Sequence, residues 1–212
     1  MDIKYFVRTM DGRKVDIPIN YEPIIDYEHR YVKSYINALY KINDYNAVLM
    51  EDDIILCNNF EEEITKVIED YPNSIINFFT APDRFFTTHY TERFNYNQCT
   101  YFPKGIASIL ADEMMKLYIP EETLRLTQRY GHLLNRSLHN LSIPIVVYRP
   151  ALVQHIDGIS TYDNTMNSRN TIYFKNYLDK LGIEYMDAYK PENKKKLQEL
   201  LDADREIWYK NI

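Results

Sequence analysis

The chain has 212 residues, of which 45% are hydrophobic and 26% are charged, a composition typical of a folded protein with room for one good-sized domain. The formal net charge of −6 argues against broad, sequence-independent attachment to nucleic acid or to an anionic membrane. Cys57 and Cys99 lack the spacing of a zinc site, and no segment approaches the length of a membrane span, so we expect a cytoplasmic protein with reduced thiols.

Apolar runs and helical periodicities alternate along the first eighty residues. The pattern predicts strands at 3–7, within 15–25, at 47–50 and at 74–79, with helices at 29–42 and from residue 60 onward. Asn59 and Glu62 have the spacing of a capping box at the start of the second helix. The alternation of strands and helices predicts a mainly parallel sheet with helices on its faces.

The rest of the chain continues with less regular spacing. It predicts strands at 98–102 and 143–148, the latter near an edge because it contains Pro144. It also predicts helices at 106–117, 124–138, 173–181 and 194–208. We expect residues 1–165 to form the core and residues 166–212 to be a helical extension packed on the same domain.

Apolar residues at intervals of three and four mark two of the predicted helices. In the first helix they form one stripe that should face the sheet, which contains Val32, Ile36, Leu39 and Tyr40. The second helix is marked by Ile106, Ile109, Leu110, Met114 and Leu117.

Three consecutive carboxylates follow the most apolar predicted strand. Glu51, Asp52 and Asp53 come directly after the run at 47–50, and carboxylates are rarely placed in a dry core. Ligands of open α/β sheets bind at the carboxyl ends of the strands. The stretch is therefore either an acidic turn or one wall of a binding crevice. Arg8, at the end of the first strand, could hold the phosphates of a nucleotide there or lie in a solvated basic turn.

Two motifs together resemble the GT-A class of nucleotide-sugar glycosyltransferases. Val-Leu-Met-Glu-Asp-Asp-Ile at residues 48–54 is similar to the acidic motif of the N-acetylglucosaminyltransferase I branch. Pro-Ala-Leu-Val-Gln-His-Ile at residues 150–156, with Ser160 close behind, looks like the Pro-x-Leu-x-Gln-His segment of related transferases, and residues 100–105 resemble a segment lining the acceptor side. The resemblance covers residues 1–165 loosely. It implies a GT-A-like single domain of the α/β class with a central, mainly parallel, mixed sheet flanked by helices.

The resemblance also implies roles for the residues of the two motifs. Asp53 and His155 would bind Mn²⁺ or Mg²⁺, Asp52 would contact the ribose or sugar of the donor, and Glu51 would support the nucleotide. A divalent cation suits this chemistry because the leaving diphosphate is doubly charged. The implied donor is a nucleoside-diphosphate sugar, UDP-linked. The acceptor stays open between a glycan, a protein and a modified DNA base, in a bacterial or viral setting.

The residue that activates the acceptor is where the sequence departs from the family. Inverting relatives place an Asp or Glu near the start of the helix before the last core strand, and this chain has none there. His132 or Glu122 could act as the base, the enzyme could be retaining, or it could be inactive.

Other charged residues remain as candidates or departures. Asp83 and Arg84 follow a strand end and could contact the donor or be ordinary loop charges. Asp157 stands where the related segment usually carries glycine. Two alternatives stay open: a metal-dependent nuclease or nucleotidyltransferase using Asp52 and Asp53, and a catalytically silent GT-A-like binding protein.

Overall fold

The computed structural model describes residues 1–28, 30–79, 88–91, 98–118, 130–159, 166–167 and 170–210. Its strands are β1 (Ile3–Met10), β2 (Glu22–Asp26), β3 (Asn46–Glu51), β4 (Ile54–Leu56), β5 (Ile75–Asn77), β6 (His89–Thr91), β7 (Cys99–Phe102), β8 (Ile145–Val147), β9 (Val153–His155), β10 (Gly158–Ile159) and β11 (Met166–Asn167). Seven of them form one sheet in the order β2–β1–β3–β7–β5–β8–β6. β4 pairs with β9 and β10 pairs with β11 outside this sheet.

The sheet is mixed. β1 is parallel to β2 and β3, and β5 is parallel to β8. β7 runs antiparallel to both of its neighbours, β3 and β5, and β6 runs antiparallel to β8. Strands β1, β2, β3, β5 and β8 therefore point the same way. The predicted α/β class is confirmed.

The helices of the described residues cover both faces of the sheet. They are α1 (Tyr31–Ile42), α2 (Phe60–Asp70), α3 (Ile106–Leu117), α4 (Tyr130–Leu141), α5 (Lys175–Leu181) and α6 (Pro191–Tyr209). Successive strand side chains point to opposite faces, so Phe6 and Leu49 pack with α1, α3 and α4, while Val7 and Met50 pack with α2, α5 and α6. This explains why β3 is apolar on both sides.

One residue assigned to a buried helix face is exposed instead. Tyr40 is 42% exposed and donates its hydroxyl to Asp112 at 2.7 Å, because the buried stripe of α1 is centred on Tyr35, Ile36 and Leu39. The buried face of α3 consists of Ala107, Leu110, Ala111 and Met114. The predicted helical periods were right, but the assignment of Tyr40 to the buried stripe was wrong.

Asn59 also differs from its predicted role as a side-chain cap. It precedes α2 in the left-handed conformation, with φ 54° and ψ 34°, and its side chain makes no capping hydrogen bond. Its carbonyl accepts instead from the backbone amides of Glu62 and Glu63, each at 3.0 Å. The capping-box prediction was therefore wrong.

The last two predictions concern the sheet edge and the C-terminal residues. β8 lies second from the edge, between β5 and β6, and Pro144 falls just before it, where it interrupts no ladder bond. Leu178 of α5 and Leu197 of α6 belong to the same hydrophobic cluster as Met50. No helix in the described part of the chain is long and apolar enough to cross a membrane.

Candidate functional site

The carboxyl ends of β1 and β3 lie side by side. The two strands are parallel, and their register places Arg8 opposite Glu51. The next residue of each chain is therefore also adjacent, which brings Thr9 to Asp52. Because these parallel strands are neighbours and end at the same side of the sheet, four polar side chains converge at one place.

Arg8 and Glu51 form a buried ion pair at the base of this cluster. Nη2 of Arg8 lies 2.7 Å and 2.9 Å from the two carboxylate oxygens of Glu51, and Nη1 donates to the carbonyl of Tyr31 at 3.1 Å. The guanidinium also lies 4.1 Å from the centre of the Tyr31 ring. Burial raises the pKa of Glu51, and the charge of Arg8 opposes that shift only in part. Arg8 is only 3% exposed, so this ion pair lies beneath the protein surface and fixes the Glu51 side chain.

Asp52 is held on both oxygens by β1 and the loop after it. Oδ2 accepts the hydroxyl of Thr9 at 2.6 Å, and Oδ1 lies 3.0 Å from Nη1 of Arg13. Burial raises the pKa of Asp52, against the opposing influence of Arg13 and Thr9. The Arg13 side chain is 36% exposed, so the cation at this position is in contact with solvent.

Asp53 faces His155, which comes from a distant part of the sequence. The antiparallel pairing of β4 with β9 places Ile54 opposite His155, and the amide of Ile156 donates to the carbonyl of Asp53 at 2.8 Å. Oδ2 of Asp53 then lies 3.4 Å from Nε2 of His155. The Asp53 side chain is 27% exposed and that of His155 is 2% exposed. Burial raises the pKa of Asp53, but its contact with His155 and the charge of Arg13 more than offset this and leave it below the ordinary value.

The separation of Asp53 and His155 fits two neighbouring ligands of one divalent cation. Ligands at right angles, each about 2.1 Å from an ion, lie about 3 Å from each other. The observed 3.4 Å needs only a small adjustment. A carboxylate and an imidazole suit Mn²⁺ better than Mg²⁺, which prefers oxygen. In the described residues there is no group of three or more His, Cys, Asp or Glu that could hold a metal.

The segment after His155 is anchored by the C-terminal residues. Asp157 is 1% exposed and accepts from Asn170 Nδ2 at 2.7 Å, from Arg205 Nε at 3.1 Å and from the Tyr209 hydroxyl at 2.9 Å. Asp157 is thus a buried hydrogen-bond acceptor for Asn170 and for two residues of α6.

Several predicted site residues lie outside this cluster or outside the described residues. Asp83, Arg84 and Glu122 are not among the described residues. His132 lies on α4, and its side chain is likewise not described. Their predicted roles stay predictions.

Residues 100–105, which resemble a segment lining the acceptor side, extend away from the three carboxylates. β7 runs antiparallel to β3 and pairs Phe102 with Ala47, so the chain after it leaves at the end opposite the carboxylates. The amide of Gly105 accordingly donates to the carbonyl of Asn43. The start of β7 is the part near the site, since the amide of Glu51 donates to the carbonyl of Gln98 at 2.9 Å.

Sequence reasoning did not identify Thr9, Asn170, Arg205 or Tyr209. Thr9 could have been found by setting the two parallel strands in register, because a polar residue following Arg8 then falls beside Asp52. The other three side chains contact Asp157 although they are distant from it in the sequence. Nothing in the sequence around them distinguishes them from ordinary surface side chains.

The fold and the site together define an α/β protein with an acidic strand end facing a histidine. No protein-family model matches the sequence, and no curated protein sequence matches it.

Proposed function

We propose that this protein is a metal-dependent glycosyltransferase of the GT-A class, which moves a sugar from a nucleoside-diphosphate sugar, UDP-linked, to an acceptor. The observation that carries the proposal is the 3.4 Å approach of His155 Nε2 to the Asp53 carboxylate, beside the carboxyl end of the parallel strand β3. It joins the two motifs on which the family resemblance rests.

The residues around Asp53 fit the binding of an anionic donor. A divalent cation on Asp53 and His155 would supply neutralisation of the charge that develops on the diphosphate leaving group. Arg13, half-exposed to solvent, adds a positive charge on the same side. Thr9 and Arg13 fix the orientation of Asp52 for a contact with the ribose or the sugar. Arg8 binds the Glu51 carboxylate and so fixes the conformation of the acidic segment before a donor binds.

Calorimetry with UDP in the presence and absence of Mn²⁺ tests the binding half of the proposal. The wild-type protein is expected to bind UDP at least about tenfold more tightly with Mn²⁺, and Asp53→Ala is expected to lose this enhancement. Asp44→Ala is the matched control, because Asp44 is exposed and precedes the opposite end of β3. Equal UDP affinity with and without Mn²⁺ would sink the proposal.

Turnover assays test the catalytic half. UDP release from UDP-sugars, measured with wild-type protein and Asp53→Ala, is expected to require Mn²⁺ and Asp53. Metal-enhanced binding without UDP release or sugar transfer would instead identify a silent binding protein. Cleavage of phosphodiesters or transfer of nucleotides by the same site would identify the nuclease or nucleotidyltransferase alternative.

A further inference from the structure

The buried carboxylate of Asp157 connects the segment after His155 to the C-terminal helix. Within the described residues, its side-chain donors are Asn170, Arg205 and Tyr209, which come from residues after 169. Two of them also bind each other, since Arg205 Nη2 donates to Asn170 Oδ1 at 2.6 Å. We call Asn170, Arg205 and Tyr209 the C-terminal clamp.

The clamp reaches the backbone of His155 itself. Nδ2 of Asn170 donates both to Asp157 and to the carbonyl of His155, the latter at 3.0 Å. On the other side of His155, the side-chain amide of Gln154 donates to the carbonyl of Thr171 at 2.8 Å and accepts from its backbone amide at 3.0 Å. His155 is therefore held on both sides by the segment that begins at residue 170.

The position of the segment that contains His155 also depends on the state of Asp157. The buried Asp157 carboxylate is stable only if its charged partner stays in place. Removal of Arg205 leaves that carboxylate short of a cation in an environment that excludes water. We expect the segment containing His155 to shift in response.

We propose that Arg205 and Tyr209 of α6 are positioning residues for His155, acting through Asp157 and Asn170. In this way a surface helix sets the distance between the His155 ring and the Asp53 carboxylate. The consequence for catalysis rests on the proposed function, whereas the effect on the His155 ring does not. Loss of residues that orient a metal ligand typically weakens metal binding about 10- to 100-fold.

Two measurements on Arg205→Met, Arg205→Lys and Tyr209→Phe test the inference. Nuclear magnetic resonance of the His155 imidazole, assigned by its absence in His155→Gln, reports the position of the ring without any ligand. Calorimetry measures the affinity of each variant for UDP in the presence of Mn²⁺. Lys196→Met is the matched control, since it removes a positive charge from an exposed position on the same helix.

We expect Arg205→Met to shift the His155 ring signals and to weaken Mn²⁺-dependent UDP binding at least about tenfold, with a smaller effect for Arg205→Lys. Lys196→Met should match the wild type in both measurements. Tyr209→Phe removes a single hydroxyl and gives the same test if Arg205→Met does not fold. Unchanged ring signals in folded Arg205→Met and Tyr209→Phe would overturn the inference. Shifted ring signals, in a protein whose wild type shows no Mn²⁺-dependent UDP binding, would support the positioning role and reject the proposed function.

Discussion

At the scale of single residues, three consecutive carboxylates have three different surroundings. Glu51 is paired with a buried arginine, Asp52 is held by a hydroxyl and a half-exposed arginine, and Asp53 faces a histidine. The sequence predicted that acids end the strand and that Asp53 differs from its neighbours. The family resemblance joined Asp53 to His155, but the partners of Glu51 and Asp52 were not predicted, because they depend on the register of β1 against β3.

The Arg8–Glu51 pair makes stability at this site depend on both partners. Arg8→Met leaves a buried carboxylate without its cation and is expected to lower the free energy of unfolding by about 3–5 kcal/mol. Arg8→Met with Glu51→Leu should recover much of that loss, because neither charge is then buried. Urea denaturation of the single and double variants measures the coupling. Arg30→Met, at an exposed arginine, should stay within about 0.5 kcal/mol of the wild type, and additive losses in the cycle would contradict the prediction.

Asp52 and Asp53 are expected to affect stability with opposite dependence on pH. The pKa of Asp52 is raised by burial, so its ionisation opposes folding, and the Asp52→Asn variant should gain stability relative to the wild type as the pH rises above about 4. The pKa of Asp53 is lowered despite burial, through His155, so its ionised form stabilises the fold at higher pH, and this contribution is lost on acidification.

Asp53→Asn should therefore lose stability relative to the wild type above about pH 4 and approach it below. Thermal unfolding of the three proteins between about pH 3 and pH 8 measures both trends. The same sign for the two variants at neutral pH would show that the two carboxylates are not differentiated as described.

At the scale of secondary structure, long periodic elements were predictable and the short connecting strands were not. The apolar run of β3 and the helical periods of α1, α2 and α3 gave the right elements, because burial imposes their spacing. β4 and β9, each three residues long, are too short to carry a period, yet their pairing brings His155 to Asp53. The contact between Asp53 and His155 was thus the part of the site that local sequence predicted least well. Only the family resemblance joined the two motifs.

The start of α2 gives a prediction about an element boundary. Asn59 has a left-handed backbone and no capping hydrogen bond from its side chain, so its role is conformational. Asn59→Ala is expected to cost about 1–2 kcal/mol, whereas Asn59→Gly should be close to neutral, since glycine adopts this conformation freely. Urea denaturation measures both, with Asn58→Ala at the adjacent exposed position as the control. An equal loss for alanine and glycine would indicate a side-chain role instead.

At the scale of the whole molecule, a single hydrophobic cluster joins distant parts of the chain. Met50 of β3, Phe78 beyond β5, Leu178 of α5 and Trp208 of α6 all belong to it. The alternation of strands and helices predicted the layers correctly, but it did not predict that the charged α6 would bury Leu197, Leu201 and Trp208. Its apolar positions are widely spaced, so the local pattern was that of a surface helix.

The two cysteines report whether these parts unfold together. Both are buried in this cluster, and burial raises the pKa of the Cys57 thiol to about 12 and that of Cys99 well above its ordinary value. Because the thiolate is the reactive form, neither should react with a disulfide reagent at about pH 8 while the protein is folded. In increasing urea, both thiols are expected to become reactive in one transition that coincides with the loss of helical circular dichroism, since α5 and α6 share the core with β3. Cys57→Ser and Cys99→Ser assign the two signals, and reaction of either thiol before the helices are lost would show that the C-terminal helices and the sheet unfold separately.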